Sequence, residues 1–228
     1  MDLAAHYNQL FTNSVQAIST NNYVIDFEID SKSDQRFGIT LLIRQSEAVK
    51  NKIQLFLKEL KEHEPSQYYY PNSDIHITVL SIISCHDGFS LNQIDLEQYI
   101  AVIQENIASL NNLEIGFSGI TASHSTIMIQ GFPTNDSLNT FRNVLRDAFK
   151  KTNLQQSIDS RYTLFTAHVS VCRFRKPINN TEKLVSFLEK YRKTNFGKFE
   201  VKELELVYND WYQKKEKTQL LHQFIVPN

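Results

Sequence analysis

Apolar positions in this chain follow two alternating periods. Gly38 to Ile43 is a continuous apolar run with the length of a buried strand. After Ser46, whose hydroxyl can cap a helix, Val49, Ile53, Phe56, Leu57 and Leu60 recur at helical spacing. A polar stretch through Pro65 and Pro71 interrupts the pattern, and Ile75 to Leu80 predicts a second strand. Asp95 with Gln98 has the form of a capping box for a helix carrying Leu96, Ile100, Ile103, Ile107 and Leu110 inward. A strand near Leu113 to Thr121 closes the series. From Thr126 the order repeats. Thr126 to Gln130 predicts a strand, and Pro133 to Asp136 a helix start. Leu138, Phe141, Val144, Leu145 and Phe149 form that helix's apolar stripe. Ala167 to Cys172 predicts the next strand. Thr181 opens a helix with Leu184, Phe187, Leu188 and Tyr191 inward, and a strand comes next near Val201 to Tyr208.

The chain is therefore written twice as strand–helix–strand–helix–strand. A last strand is expected from about Gln219 to Val226, after a Lys-rich turn at Lys214 to Lys217. The segment before residue 37 lies outside the duplication. Leu3, Tyr7, Leu10, Phe11 and Ile18 predict a helix. Tyr23, Ile25, Phe27 and Ile29 alternate with polar or smaller residues, which predicts a strand pairing with the one at Phe37.

The middle strand of each repeat carries the same short pattern: His76-Ile77-Thr78-Val79 in the first, His168-Val169-Ser170-Val171 in the second. Residues two apart on a strand share a face, so each strand presents an imidazole beside a hydroxyl and turns branched apolar residues to the core. His-x-Ser/Thr alone is a weak signal, with about one chance match expected, and His124-Ser125-Thr126 is such a match. Requiring apolar residues at the second and fourth positions removes it and lowers the chance expectation to about 0.2. A lone histidine on a strand is usually a hydrogen-bonded structural residue. Two, at equivalent points of a repeat, point to a shared site.

On these motifs and the duplicated layout from about Phe37 to Val226, the chain resembles the 2H phosphoesterase superfamily, which includes 2′-5′ RNA ligase-like proteins and RNA 2′,3′-cyclic phosphodiesterases. Arg173 also fits, because members often carry a basic residue soon after the second motif. The resemblance implies an α+β fold of two pseudo-twofold-related lobes. Each would be a mainly antiparallel sheet with helices on its outer face, and both motifs would line a central cleft. Residues 1–36 would form a helix-and-strand extension, and 37–228 a single bilobal domain with lobes from the repeats at about 37–121 and 124–226. It implies His76, Thr78, His168 and Ser170 as catalytic residues acting without metal or cofactor on a 2′,3′-cyclic phosphate, a 2′-5′-linked RNA end or a small nucleotide.

Imidazoles suit that chemistry because their unperturbed pKa of about 6.5 lets one accept a proton while another donates. The sequence does not say which does which, nor whether the cleft cleaves or only binds. A nucleotide-binding module without turnover, a hydrolase of another cyclic nucleotide or of an ADP-ribose cyclic phosphate, and a purely structural fold stay open. A catalytic zinc would want three protein ligands, often including a carboxylate. Asp74 shares the face of His76, but the second motif has no equivalent. Arg173, Tyr70 and Tyr162 are candidates for substrate binding, the tyrosines as stacking surfaces. Strict alternation turns Arg173 away from His168, so its role needs a bulge or a strand end. Trp211 and Tyr212 invite the same stacking role, Arg161, Arg175 and Lys176 would extend a basic patch, and Cys85-His86-Asp87 reads as a loop.

Composition narrows the partners. Net charge is −1, so a surface built to grip long duplex DNA is not expected, and a nucleotide or RNA end fits better. Two cysteines without metal or redox spacing read as reduced thiols. No apolar stretch approaches the roughly 20 residues of a membrane helix. With no leader pattern after Met1, the expectation is a cytoplasmic monomer.

Overall fold

The computed structural model describes residues 2–227. Helix α1 spans Leu3–Ser19, capped by the Asp2 carboxylate, which accepts from the Ala5 amide at 3.1 Å. The first repeat comes next as β1 (Phe37–Ile43), α2 (Glu47–His63), a short β2 (Tyr68–Tyr69), β3 (Ile77–His86), α3 (Leu96–Asn106) and β4 (Glu114–Ala122). The second runs β5 (Thr126–Pro133), α4 (Ser137–Lys150), β6 (Val169–Arg173), α5 (Thr181–Lys190), β7 (Asn195–Glu200) and β8 (Glu203–Asp210), and β9 (Gln219–Ile225) ends it.

Two antiparallel sheets result, ordered β3-β1-β8-β9 and β2-β6-β5-β4-β7. Each puts the first strand of one repeat at its centre, the motif strand of that repeat on one side, and the closing strand of the other repeat on the opposite side. The repeats thus exchange their closing strands, and neither sheet is built from one repeat alone. Helices cross over as well: α2 packs on β6 and β7, and α4 on β3. The pseudo-twofold is retained because the exchange is mutual. β1, with a neighbour on both edges and core on both faces, is buried at every position but Phe37, which is why its sequence reads as an unbroken apolar run.

Several expectations differ from the structure. The segment after α1 does not pair with β1, whose edges are taken by β3 and β8. It runs extended along the other lobe, with Val24 N donating to His124 O and Asp26 N to Phe174 O, both at 2.7 Å, and ends in a 3₁₀ turn at Phe27–Asp30. Cys85 and His86 belong to β3 rather than to a loop. Asp95 is the N-cap of α3 but makes no side-chain cap bond, and a capping box forms instead around the separate 3₁₀ turn Leu91–Gln93, between Ser90 and Gln93. The strand placed near Val201 to Tyr208 is β8, and β7, ahead of it, is a further strand that the pattern did not predict.

Candidate active site

His76 and His168 each sit one residue before their strand, β3 and β6. The predicted alternation is realised. Ile77, Val79, Val169 and Val171 are fully buried, each worth about 1.5–3 kcal/mol of burial, while His76, Thr78, His168 and Ser170 are half-buried. All four of these, with Tyr70, Tyr162 and Arg173, line one cavity of about 200 Å³ between the lobes. Trp211 and Tyr212 complete its far wall.

Both motif strands bulge at the same point. Thr78 faces Leu42 while Leu80 faces Leu41, leaving Val79 extra; Ser170 faces Met128 while Cys172 faces Ile127, leaving Val171 extra. A bulge bends the strand and re-aims the side chains beyond it. Past the second one Arg173 reaches the cavity, which strict alternation would forbid. Its Nε donates to Tyr70 Oη at 2.8 Å and its Nη1 to Asp26 Oδ2 at 3.1 Å, and the guanidinium lies 5.3 Å from the Tyr212 ring. Tyr70 is 2% exposed, so it orients Arg173 and offers no open stacking face. Tyr162, at 67% exposed, does.

The basic patch expected around the second motif divides. Arg161 lies 3.8 Å over the Trp211 ring at the cavity wall, with Arg36 at 4.8 Å. Arg175 instead pairs with Asp30 and Ser66 O. Asp74 is committed elsewhere: its carboxylate accepts from Lys215 N and Ser73 Oγ. Among the described residues no three His, Cys, Asp or Glu side chains cluster as a metal site.

The two imidazoles are held differently. His76 Nδ1–H donates to the Asp74 carbonyl at 2.7 Å. A carbonyl can only accept, so the neutral ring keeps its proton on Nδ1 and turns an Nε2 lone pair to the cavity. His168 Nδ1 meets the Thr166 hydroxyl at 2.7 Å, a group that can donate or accept. Burial pushes His76 down to about 3, and Arg44, His168 and Arg173 add to the effect. Burial also pushes His168 down to about 4, with Arg142, His6 and Arg173 adding. With these shifts both rings are neutral at pH 7.

Two arginines that the sequence pattern did not single out hold the motifs in place. Arg142 of α4 is 0% exposed. It donates to Thr78 O, Val79 O and Thr166 O, each at 2.8 Å, and so ties the two motif strands together across the lobes. Arg44 donates to Ser73 O at 3.0 Å and Ile75 O at 3.4 Å, just ahead of His76, and pairs with Glu205 at 3.0 Å. Arg142 lies four residues after Leu138 and three before Leu145. An arginine on an apolar stripe is the signal that could have found it.

Comparisons with known proteins speak to the family and the fold. A family model described as the AKAP7 2'5' RNA ligase-like domain matches residues 37–218. No curated protein gives a significant match. Among solved structures, TT0787 of Thermus thermophilus superposes with a TM-score of 0.58 at 13% identity, covering 83% of this chain and 97% of its own. E. coli LigT complexed with 3'-AMP gives a TM-score of 0.53 at 10% identity, covering 85% of this chain and 99% of its own. LigT complexed with ATP gives 0.55 at 10% identity, with the same coverage. At such identities the likeness speaks for the fold.

Proposed function

We propose, from the premise that this chain belongs to the AKAP7 2'5' RNA ligase-like family and with it to the 2H phosphoesterase superfamily, that it cleaves a phosphodiester of a nucleotide or RNA end by metal-independent two-histidine catalysis. The observation that carries the reading is the cavity itself. Two imidazoles, each pinned from behind through Nδ1, share it with one hydroxyl apiece and the half-buried guanidinium of Arg173. Substrates of this class include 2′,3′-cyclic phosphates and 2′-5′-linked ends, and the nucleotide complexes of LigT support a nucleotide as the occupant.

The hydrogen bonds behind the rings support one assignment of the roles. A general base must arrive neutral with Nε2 unprotonated, and the Asp74 carbonyl permits His76 only that tautomer. The Thr166 hydroxyl imposes no such choice on His168. His76 is the base that takes the proton of the attacking water, and His168 the acid that protonates the leaving oxygen. Thr78 and Ser170 hydrogen-bond the non-bridging oxygens, and Arg173 offsets their charge. Positioned proton transfer contributes typically 10²–10⁴-fold per group.

The test is turnover of 2′,3′-cyclic nucleotides and 2′-5′-linked dinucleotides with a chelator present, beside His76→Ala and His168→Ala. Turnover that survives chelation and falls by at least ~10²-fold in both variants is expected. Nucleotide binding without turnover by the intact chain would replace the reading with a binding module. Activity abolished by the chelator would refute the metal-independent mechanism.

A further inference from the structure

Residues 20–36, between α1 and β1, lie outside the span that the family model matches. They are fastened down without help from the side chain of Asp26. Val24 N and Asp26 N donate to His124 O and Phe174 O, and the Tyr23 hydroxyl accepts from Ile178 N at 2.9 Å. Ile29 is fully buried, and Lys214 Nζ, from the turn before β9, donates to its carbonyl at 2.5 Å. Anchoring this segment therefore leaves the Asp26 carboxylate for a different task.

That side chain is 15% exposed, and both of its oxygens go to residues of the central cavity. Oδ1 accepts from Tyr212 Oη at 2.7 Å and Oδ2 from Arg173 Nη1 at 3.1 Å. Arg173 ends β6 in one sheet and Tyr212 follows β8 in the other, so one carboxylate joins the two lobes at the site. Asp26 does not itself line the cavity. With Nε on Tyr70 and Nη1 on Asp26, Arg173 Nη2 makes no hydrogen bond among the described residues and is left for an anion. A planar guanidinium tied at two of its three nitrogens has a fixed orientation.

We infer that Asp26 is a positioning residue: it holds the Arg173 guanidinium, with Tyr212 beside it, where negative charge develops on the non-bridging oxygens. The inference rests on the proposed hydrolysis, in which Arg173 offsets that charge. A donor already aimed at the developing charge needs no reorganisation during the reaction, and that lowers the barrier. The charge of Asp26 acts the other way on binding, because it offsets Arg173 and weakens the pull on an incoming anion. Removing the carboxylate separates the two effects. A loosened Arg173 lowers kcat, while its uncovered positive charge leaves KM unchanged or lower. The segment ahead of β1 thus completes the site from outside the matched span.

The experiment measures kcat and KM separately, on 2′,3′-cyclic nucleotides and 2′-5′-linked dinucleotides, for the full chain, Asp26→Ala, Arg173→Ala and the double variant. Asp26→Asn, of nearly the same size, serves if Asp26→Ala does not fold. Asp26→Ala is expected to lower kcat about 10- to 100-fold with KM unchanged or lower. In the Arg173→Ala background the same change is expected to lower kcat by less than about twofold, because its target is already gone. A purely structural role would lower kcat equally in both backgrounds. That result, an unchanged kcat, or a raised KM overturns the inference and leaves the hydrolytic reading standing. If Arg173→Ala is inactive, the split between kcat and KM decides alone. An intact chain that turns over no substrate, while folded, removes the hydrolytic reading and the inference with it.

Discussion

Arg142→Met removes the guanidinium that joins the two motif strands while keeping a side chain of similar length. Three backbone carbonyls lose a charged donor at 2.8 Å, and Asn139 Oδ1 loses one at 2.9 Å. Val79 is the bulged residue of β3, so its carbonyl has no ladder partner to fall back on. Each hydrogen bond from a charged donor is worth about 1.5–3 kcal/mol, and a buried acceptor left alone costs about 1–3 kcal/mol. Against that stands relief of desolvation. The guanidinium is buried without a carboxylate, and burial with the Arg146 charge beside it lowers its pKa to about 9, so it is still charged at pH 7. The balance is a loss of about 3–5 kcal/mol. Urea denaturation followed by Trp211 fluorescence would show it as a midpoint lowered by roughly 1–2 M at unchanged slope. Arg142→Lys, with a point charge that cannot reach three carbonyls, should fall between. A loss below about 1 kcal/mol for Arg142→Met would refute the argument that this side chain holds the motifs together.

Three further outcomes rest on the same kind of accounting. Both polar side-chain atoms of Gln45, a residue 3% exposed, are buried without a partner, so Gln45→Leu should stabilise the protein by about 1–2 kcal/mol in the same titration. A Cβ at Gly131 would lie 2.0 Å from the Ala167 carbonyl, backbone against backbone next to His168. Gly131→Ala should therefore cost at least about 2 kcal/mol and depress turnover, and a variant as stable as the parent would contradict the close approach. His76 and His168 titrate near 3 and 4 when folded and near 6.5 when unfolded, so below pH 6.5 the unfolded chain binds protons that the folded one refuses. Stability should fall from pH 7 to pH 5 by up to about 3–4 kcal/mol for the pair, a ceiling because solvent reaches both rings through the cleft. A His76→Gln/His168→Gln double variant should lose that dependence; keeping it would assign the effect to other groups.

Local period made most elements legible, because each helix and strand buries one face and the hydrophobic pattern records it. The motif histidines were legible for the same reason: an alternating strand puts imidazole and hydroxyl on one side whatever the fold. The hidden features are those that period does not encode. The strand exchange is invisible because a closing strand has the same pattern in either sheet. The segment Tyr23 to Ile29 alternates like a strand, yet β1 had no free edge for it. The bulges at Val79 and Val171 leave no mark on composition, and the reach of Arg173 depends on one of them. Arg142 and Arg44 act through backbone carbonyls, and no motif records a carbonyl. The Asp26 carboxylate meets Arg173 across the whole chain, so no spacing could have joined them.

The proposed acid must carry a proton in a site that strips protons from histidines, and the resolution is in who else lines it. Arg44, Arg142 and Arg173 all lower the proton affinity of one ring or the other, as burial does. A phosphodiester, the proposed substrate, would reverse the balance: its negative charge offsets the arginines and favours a proton on the ring it touches. In the proposed mechanism both rings are neutral until the substrate binds, and the substrate itself recruits the proton. His76 is fixed by a carbonyl in the neutral tautomer with a free Nε2, the form a general base needs. His168, backed by a hydroxyl that serves either charge state, is the ring free to take the proton up. In the proposed mechanism the pseudo-twofold supplies two equivalent histidines, and the carbonyl behind one and the hydroxyl behind the other set the base apart from the acid.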